Sequence, residues 1–128
     1  YEWGGYNKNG IWEFNSKRSG WAMPIHQLMA ANNVTIFFQG HDHVFAKEVL
    51  DGVIYQEIPM PSDATYHVGD ENIKGYIGDV LNDSGHVRVK VSDSQVKVDY
   101  IRAYLPQDQN DINTNGQIAY TYTVSVNQ

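Results

Sequence analysis

Six stretches of the chain carry the hydrophobic pattern of β-strands. In some of them apolar and polar residues alternate, which is typical of a half-buried strand, and in others β-branched and aromatic residues form a short unbroken run. The last stretch shows the alternation most clearly, since Ile118, Tyr120 and Tyr122 are separated by alanine and threonine. The predicted strands span residues 34–38, 44–50, 53–58, 86–91, 96–104 and 118–126.

One main helix is predicted before the first of these strands. Pro24 suits a helix start and Asn32 suits a helix end. Between them, Ile25, Leu28 and Met29 form an apolar stripe at the spacing of one helix face, so the helix should be about ten residues long. Because this helix leads directly into a nearly continuous apolar strand, we expect that strand to be buried on both faces.

The segments between these elements have the composition of turns and loops. Asp51-Gly52 separates two predicted strands and is a strong signal for a type I′ hairpin turn, in which both central residues have positive φ. Residues 62–75 form a predicted long loop, which in a compact domain is either functional or mobile. Residues 1–20 are predicted to be irregular, with one short strand at 11–14 and no helix.

Together these elements predict an α+β or α/β fold with one main helix and about six to seven strands. The 128 residues are the size of a single domain, and 41% of them are hydrophobic, which is enough to form one core. We expect the core at 21–104, a polar loop at 105–116 and a terminal strand at 117–128.

The charge balance excludes two classes of partner. The formal net charge is −6, the isoelectric point is near 5.1, and the nine lysines and arginines are scattered along the chain. A surface for nucleic acid or for anionic lipid needs a positive patch, so neither partner is expected. No apolar stretch reaches the roughly 18 residues of a membrane helix. The absence of cysteine excludes disulfides and thiolate metal ligands and leaves the compartment open.

Chemistry is indicated most clearly by Gly40-His41-Asp42-His43, which follows the first predicted strand. In an extended backbone the side chains of His41 and His43 point to the same side, about 6.6 Å apart. Paired catalytic metal ions lie about 3.5–4 Å apart, so each imidazole could bind a different ion. Gly40 permits a tight turn, and Asp42 should point to the opposite side and shape the loop or orient a ligand. The alternative interpretation is a pair of solvent-exposed loop histidines.

The other candidate residues carry weaker signals. His26 is predicted to be a surface or partly packed helix residue, His67 an exposed loop residue, and His86 a strand residue without a motif. Segment 78–83 resembles the Gly-Asp-x-x-Asp metal motif of phosphoesterases, but its second acid comes one position late. A turn with solvated acids is therefore the prediction for that segment.

Three segments resemble the C-terminal part of calcineurin-like metallophosphoesterases, nearest to the purple acid phosphatase and alkaline phosphatase D branches. They are residues 26–29, residues 33–43 with the closing Gly-His-x-His signature, and residues 51–56. The resemblance covers most of the chain, because the strands at 86–91 and 96–104 also suit the closing sheet of that family. It is specific in the middle of the chain and loose at the ends.

The resemblance implies a fold, a site and an activity. The chain would be the β-rich C-terminal part of a four-layer αββα sandwich. His41 and His43 would each bind one of two divalent or trivalent ions (zinc, manganese or iron), and the parent protein would hydrolyse small phosphate esters. The family's earlier ligand motifs do not occur here in the right form or order. We therefore expect a fragment that lacks its N-terminal half and any signal segment, and that is inactive alone.

Two other classes of function remain open. The aromatic residues of the N-terminal part, Trp3, Tyr6, Trp12 and Trp21, could stack on sugar rings in a carbohydrate-binding module. Alternatively, the chain is a non-catalytic structural half-domain whose exposed apolar strands pair with the missing half or with a second copy.

Overall fold

The chain folds into a small α+β structure, seen in a computed structural model that describes residues 5–7, 9–69 and 74–125. Those residues form two α-helices, a short 3₁₀ helix at Pro106–Asp108, and seven strands. The helices are α1 (Phe14–Lys17) and α2 (Ile25–Ala31); the strands are β1 (Ile36–Gln39), β2 (Phe45–Leu50), β3 (Val53–Glu57), β4 (Asp79–Leu81), β5 (Gly85–Val91), β6 (Gln95–Arg102) and β7 (Ile118–Ser125). One sheet has the strand order β1-β3-β2-β4 and the other the order β5-β6-β7.

Most of the predicted elements are confirmed. Each of the six predicted strands has a counterpart within a few residues of its expected bounds, and the main helix is α2, with seven residues instead of about ten. The predicted hairpin turn joins β2 to β3, with φ of 48° at Asp51 and 81° at Gly52. None of the helices in the described part of the chain is both long and apolar enough to cross a bilayer.

Two short elements contradict the predictions. Helix α1 lies in the segment for which no helix was expected, because Phe14 is buried there and the Arg18 amide donates to its carbonyl oxygen. The short strand expected at 11–14 does not form: Trp12 makes an isolated bridge with Tyr6, and Phe14 begins α1. Strand β4 replaces the turn expected at 78–83, because it pairs antiparallel with β2. Both elements are too short to produce a periodic hydrophobic pattern.

The first strand was expected to be buried on both faces, but it is not. Among the described strands, β1 is the last at one side of its sheet and neighbours only β3. The Thr35 and Gln39 carbonyl oxygens accept hydrogen bonds from the amides of Ile54 and Ile58, so the two strands run parallel. The Phe38 side chain remains 39% exposed. An edge position therefore explains why an unbroken apolar run did not lead to full burial.

The chain divides into two compact units, of which the first comprises Tyr1–Phe37 and Val49–Tyr55. Its core is formed by Met29, Val53 and Tyr55. His26 belongs to this core, which corrects the prediction of a surface or partly packed residue, since it is only 6% exposed. Its Nδ1 accepts a hydrogen bond from the Tyr55 hydroxyl (2.6 Å), and its Nε2 donates to Asp51 Oδ2 (2.8 Å). His26 thus has a packing role and lies in a different unit from the Gly-His-x-His segment.

The second unit comprises Phe38–Glu48 and Gln56–Gln128. Its interior contains a stacked pair of rings, Phe45 and Tyr100, with centroids 4.7 Å apart and planes 12° apart. Tyr100 lies on β6 directly opposite Val87 of β5 and Tyr120 of β7, on the apolar face of the three-stranded sheet. These rings hold β2, and the loop before it, against that sheet.

The apolar face of the three-stranded sheet is unevenly covered. Tyr100, near one end, is fully buried, whereas Val89 and Val91 on β5 are 42% and 76% exposed. Exposed valines in register on one face provide an apolar surface of the kind used in protein association.

Candidate functional site

The Gly-His-x-His segment forms a bent loop between β1 and β2. His41 and Asp42 lie in a bend, and His43 has a φ of 58°, in the left-handed region. The extended backbone assumed in the sequence analysis is therefore wrong for this segment. A left-handed residue costs energy unless the surroundings hold it, so contacts outside the motif must determine the loop conformation.

Glu57, at the end of β3, provides the contacts that hold this loop. Its carboxylate oxygen Oε1 accepts hydrogen bonds from the backbone amides of His41 (2.6 Å) and Asp42 (3.0 Å). Glu57 is only 3% exposed, and hydrogen bonds from amides to a buried carboxylate are stronger than those between neutral groups. Nothing in the local sequence around the two histidines indicates this partner, which is fourteen residues or more away in the chain.

Asp42 lies beside His41 instead of pointing to the opposite side. His41 Nδ1 donates to Asp42 Oδ1 (2.9 Å), and the Tyr76 hydroxyl donates to Asp42 Oδ2 (2.8 Å). The hydrogen bond from His41, followed by the one from Tyr76, lowers the pKa of the Asp42 carboxyl below its usual value. Since Nδ1 is the donor, the neutral ring presents its lone pair at Nε2, and the carboxylate orients the ring as in carboxylate–histidine–metal arrangements.

Both motif histidines are exposed, as the alternative interpretation expected, with the His41 side chain 95% exposed. They also line one open cavity of about 410 Å³, a volume within the usual range of small-molecule sites. The cavity also contains side chains that were not predicted to be functional, four of them from the long loop at 62–75. Its described lining consists of His41, Asp42, His43, Met60, Asp63, His67, Val68, Lys74 and Asp83. The structure thus brings together imidazoles, carboxylates and one lysine from four separate parts of the chain.

Four of these cavity residues correct or extend the sequence analysis. His67, set aside as an exposed loop residue, is exposed and also lines the cavity with the motif histidines. Asp63 and Lys74 carried no motif; their only signal was their place in a long loop of the kind that is often functional. Asp83, expected to be a solvated acid in a turn, is only 3% exposed. Its oxygen Oδ1 has no hydrogen-bond partner among the described residues.

Burial makes the Asp83 carboxyl a weaker acid than an exposed aspartate. Desolvation, with a smaller contribution from the negative charge of Asp63, raises the pKa of its carboxyl to about 6. The Met60 backbone amide and the positive charges of Arg102 and His43 oppose this shift without cancelling it. Asp83 is therefore close to half protonated near pH 6.

The raised pKa of Asp83 predicts a pH-dependent stability. Between the ordinary value of 3.8 and about 6, the folded chain holds a proton on this carboxyl that the unfolded chain has lost. The folded state then binds more protons at this group, so the contribution of Asp83 to the free energy of unfolding falls as the pH rises through this window and is constant above it. We expect the melting temperature of the wild type to fall from about pH 4 to pH 6, relative to that of Asp83→Asn.

Thermal unfolding monitored by circular dichroism with a chelator present measures this effect. Asp93→Asn, which removes an exposed carboxyl on the turn between β5 and β6, is the matched control and should keep the slope of the wild type. Parallel curves for the wild type and Asp83→Asn would contradict the prediction.

The aromatic residues considered for sugar binding do not form a flat platform. Trp3 lies outside the described residues. Tyr6 and Trp12 are 68% and 40% exposed, but their rings meet edge to face, with centroids 5.0 Å apart and planes 71° apart. Trp21 is 49% exposed and has the Arg18 guanidinium 5.6 Å from its ring centre. Rings at such an angle cannot both stack on one sugar face.

The donor set of the cavity suits borderline metal ions. Imidazole nitrogens and carboxylate oxygens are the ligands that zinc, manganese and iron use in proteins. Among the described residues, however, no three histidine, aspartate or glutamate side chains converge to hold one ion. Comparison of the sequence with protein-family models and with curated proteins gave no match to this chain.

Proposed function

We propose that this chain contributes His41 and His43 to the binuclear metal centre of a hydrolase that acts on phosphate esters. The observation that carries the proposal is that both histidines of the Gly-His-x-His segment line a single polar cavity large enough for a small phosphate ester. We further propose that the two sheets are the β-rich part of an αββα metallophosphoesterase sandwich, with the cavity at the end of β1.

Each residue of the loop has a distinct role in this proposal. His41 would bind through Nε2, and Asp42 would orient its ring through Nδ1. Glu57 would hold the backbone of both residues in place. When bound, the ion pair would make hydroxide available near neutral pH and neutralise charge on the phosphoryl oxygens.

Lys74 and His67 of the cavity would help to bind the phosphoryl group. Lys74 lines the cavity, and its ammonium group is a strong donor for phosphate oxygens. His67 supplies a further imidazole, which can donate a hydrogen bond when neutral and carries a charge when protonated. Lys74 and His67 would bind the substrate, whereas His41 and His43 would bind the metal ions.

Under this proposal, the chain supplies fewer ligands than two metal ions need. Two like-charged ions close together need several ligands each and carboxylates that bridge them, which two imidazoles do not provide. The remaining ligands would come from the earlier motifs of the family, which this sequence lacks. We therefore expect the 128-residue chain to bind zinc or manganese weakly and to have no phosphatase turnover of its own.

Isothermal titration with zinc and manganese, together with a 4-nitrophenyl phosphate assay, tests the proposal. The wild type should bind metal in the high micromolar range or more weakly, and the double variant His41→Ala/His43→Ala should lose at least about tenfold of that affinity. His86→Ala, which removes an exposed histidine on β5, is the matched control and should bind like the wild type.

Two results would contradict the proposal in different ways. Equal affinity of the wild type and the double variant would exclude His41 and His43 as ligands. Tight binding of two ions with turnover of 4-nitrophenyl phosphate would show that the chain needs no further ligands, and that it is active alone.

A further inference from the structure

A second pocket, of about 230 Å³, adjoins the cavity in the same unit. Asp63 lines both spaces, so a ligand could extend from one into the other past this side chain. The two spaces differ in chemistry. The cavity is surrounded by imidazoles, carboxylates and a lysine, whereas the pocket is walled mainly by Pro61, Ala64, Tyr66, Tyr104 and Leu105.

Two tyrosines that line this pocket, Tyr66 and Tyr104, are held in place by hydrogen bonds and ring contacts. The Tyr66 hydroxyl donates a hydrogen bond to Asp108 Oδ2 (2.6 Å) and accepts one from the Leu105 amide (3.0 Å). The Tyr66 and Tyr104 rings are in contact, with centroids 4.9 Å apart and planes 45° apart. The Arg102 guanidinium lies 5.0 Å from the centre of the Tyr104 ring, which fixes that ring further.

The backbone at Tyr66 is also unusual. Its φ is 57°, in the left-handed region that bulky residues rarely adopt. Strained residues persist only where the surroundings hold them, and they concentrate at ligand-binding sites. Here the hydrogen bonds to Asp108 and Leu105 supply that support, and the Tyr66 and Tyr104 rings, which contact each other, form one aromatic side of the pocket.

We propose that this pocket receives the aromatic ring of an aryl phosphate ester whose phosphoryl group lies in the adjoining cavity. The proposal rests on the proposed function and adds the substrate class. A cavity of about 150 Å³ is enough to bind benzene, so a pocket of 230 Å³ holds one aromatic ring. The polar cavity takes the charged end of such an ester, and the apolar pocket takes its leaving group.

The probes for this proposal are phenylphosphonate and methylphosphonate, which share a charged head and cannot be hydrolysed. NMR titration in the presence of excess zinc detects the weak binding expected of the isolated chain. Burial of the ring should make phenylphosphonate bind at least about tenfold tighter, a difference of about 1.4 kcal/mol. The largest shifts should belong to Tyr66 and Tyr104.

Two variants and a matched control assign this preference to the pocket. Leu105→Ser removes an apolar wall, and Ala64→Phe fills part of the space; both should bring the affinity for phenylphosphonate close to that for methylphosphonate. Leu28→Ser removes a leucine of similar exposure (51% against 45%) outside the pocket and should keep the preference. Equal affinities in the wild type, or a preference kept by both pocket variants, would overturn the proposal.

A third probe separates this proposal from the proposed function. If neither phosphonate binds with zinc, the assignment of the phosphoryl group to the cavity fails, whereas the metal titration of His41→Ala/His43→Ala still tests the proposed function, and phenol alone then decides the role of the pocket. Saturable phenol-induced shifts at Tyr66 and Tyr104 that Leu105→Ser weakens would support an aromatic-binding pocket. The absence of such shifts would overturn it.

Discussion

Replacement of Phe45 by alanine is expected to lower the free energy of unfolding by about 3–5 kcal/mol, the usual range for removal of a buried aromatic ring. Phe45 is fully buried and stacks on Tyr100, with centroids 4.7 Å apart. Its ring also contacts Tyr120, at 5.3 Å between centroids. Loss of the ring would leave a cavity between β2 and the apolar face of the three-stranded sheet, because both tyrosines are anchored by hydrogen bonds elsewhere.

Thermal and urea unfolding of the 128-residue chain measure this loss. A change of this size corresponds to a fall in melting temperature of at least about 10 °C. Phe38→Ala is the matched control, since Phe38 belongs to the same unit but is 39% exposed, and it should cost less than half as much. Equal losses for the two variants would show that the stacked rings are not the core of the second unit.

Replacement of Gly78 by alanine is expected to destabilise the chain by about 1–3 kcal/mol through overpacking. An added Cβ at this position would lie 2.0 Å from the Lys47 carbonyl oxygen, which is much closer than any real contact. That oxygen belongs to the backbone of β2, and Lys47 is the register partner of Asp79 at the start of β4. The clash therefore cannot be relieved by a side-chain rotation and would push β4 away from β2.

Gly20→Ala is the matched control for this substitution. An added Cβ at Gly20 meets nothing within 4 Å, and its φ does not lie in the left-handed region. This variant should be neutral or slightly stabilising, by up to about 1 kcal/mol, because alanine reduces the freedom of the unfolded chain. Equal melting temperatures of Gly78→Ala and the wild type would contradict the close approach of β2 and β4.

The same glycine shows why a motif has to be tested against a structure. The sequence at 78–83 suggested a degenerate metal motif or a turn with solvated acids. In the structure Gly78 is required by the contact with β2, Asp79 begins a strand, and Asp83 is buried beside the cavity. Pairing with a strand about thirty residues earlier decides the roles of Gly78 and Asp79, and the local sequence does not indicate this pairing.

Much of the candidate site was likewise beyond local prediction. His41 and His43 were identifiable from their spacing after an apolar strand, and both line the cavity. Their geometry was predicted wrongly, because the loop is bent by a carboxylate from β3. Asp83 reaches the cavity from about forty residues further along the chain, and neither its burial nor its raised pKa can be deduced from its neighbours in sequence.

By itself the sequence determined the strands, the main helix and the β2–β3 hairpin, because alternation of apolar residues, helix-end residues and an Asp-Gly turn act through the preferences of neighbouring residues. It also determined where the imidazoles of the motif lie in the chain. Only the tertiary structure decided that β1 is an edge strand, that β4 forms, that the motif loop is bent, and that His67 and Asp83 share a cavity with His41 and His43. These features depend on hydrogen bonds and contacts between residues far apart in the chain, which form only when the whole chain packs.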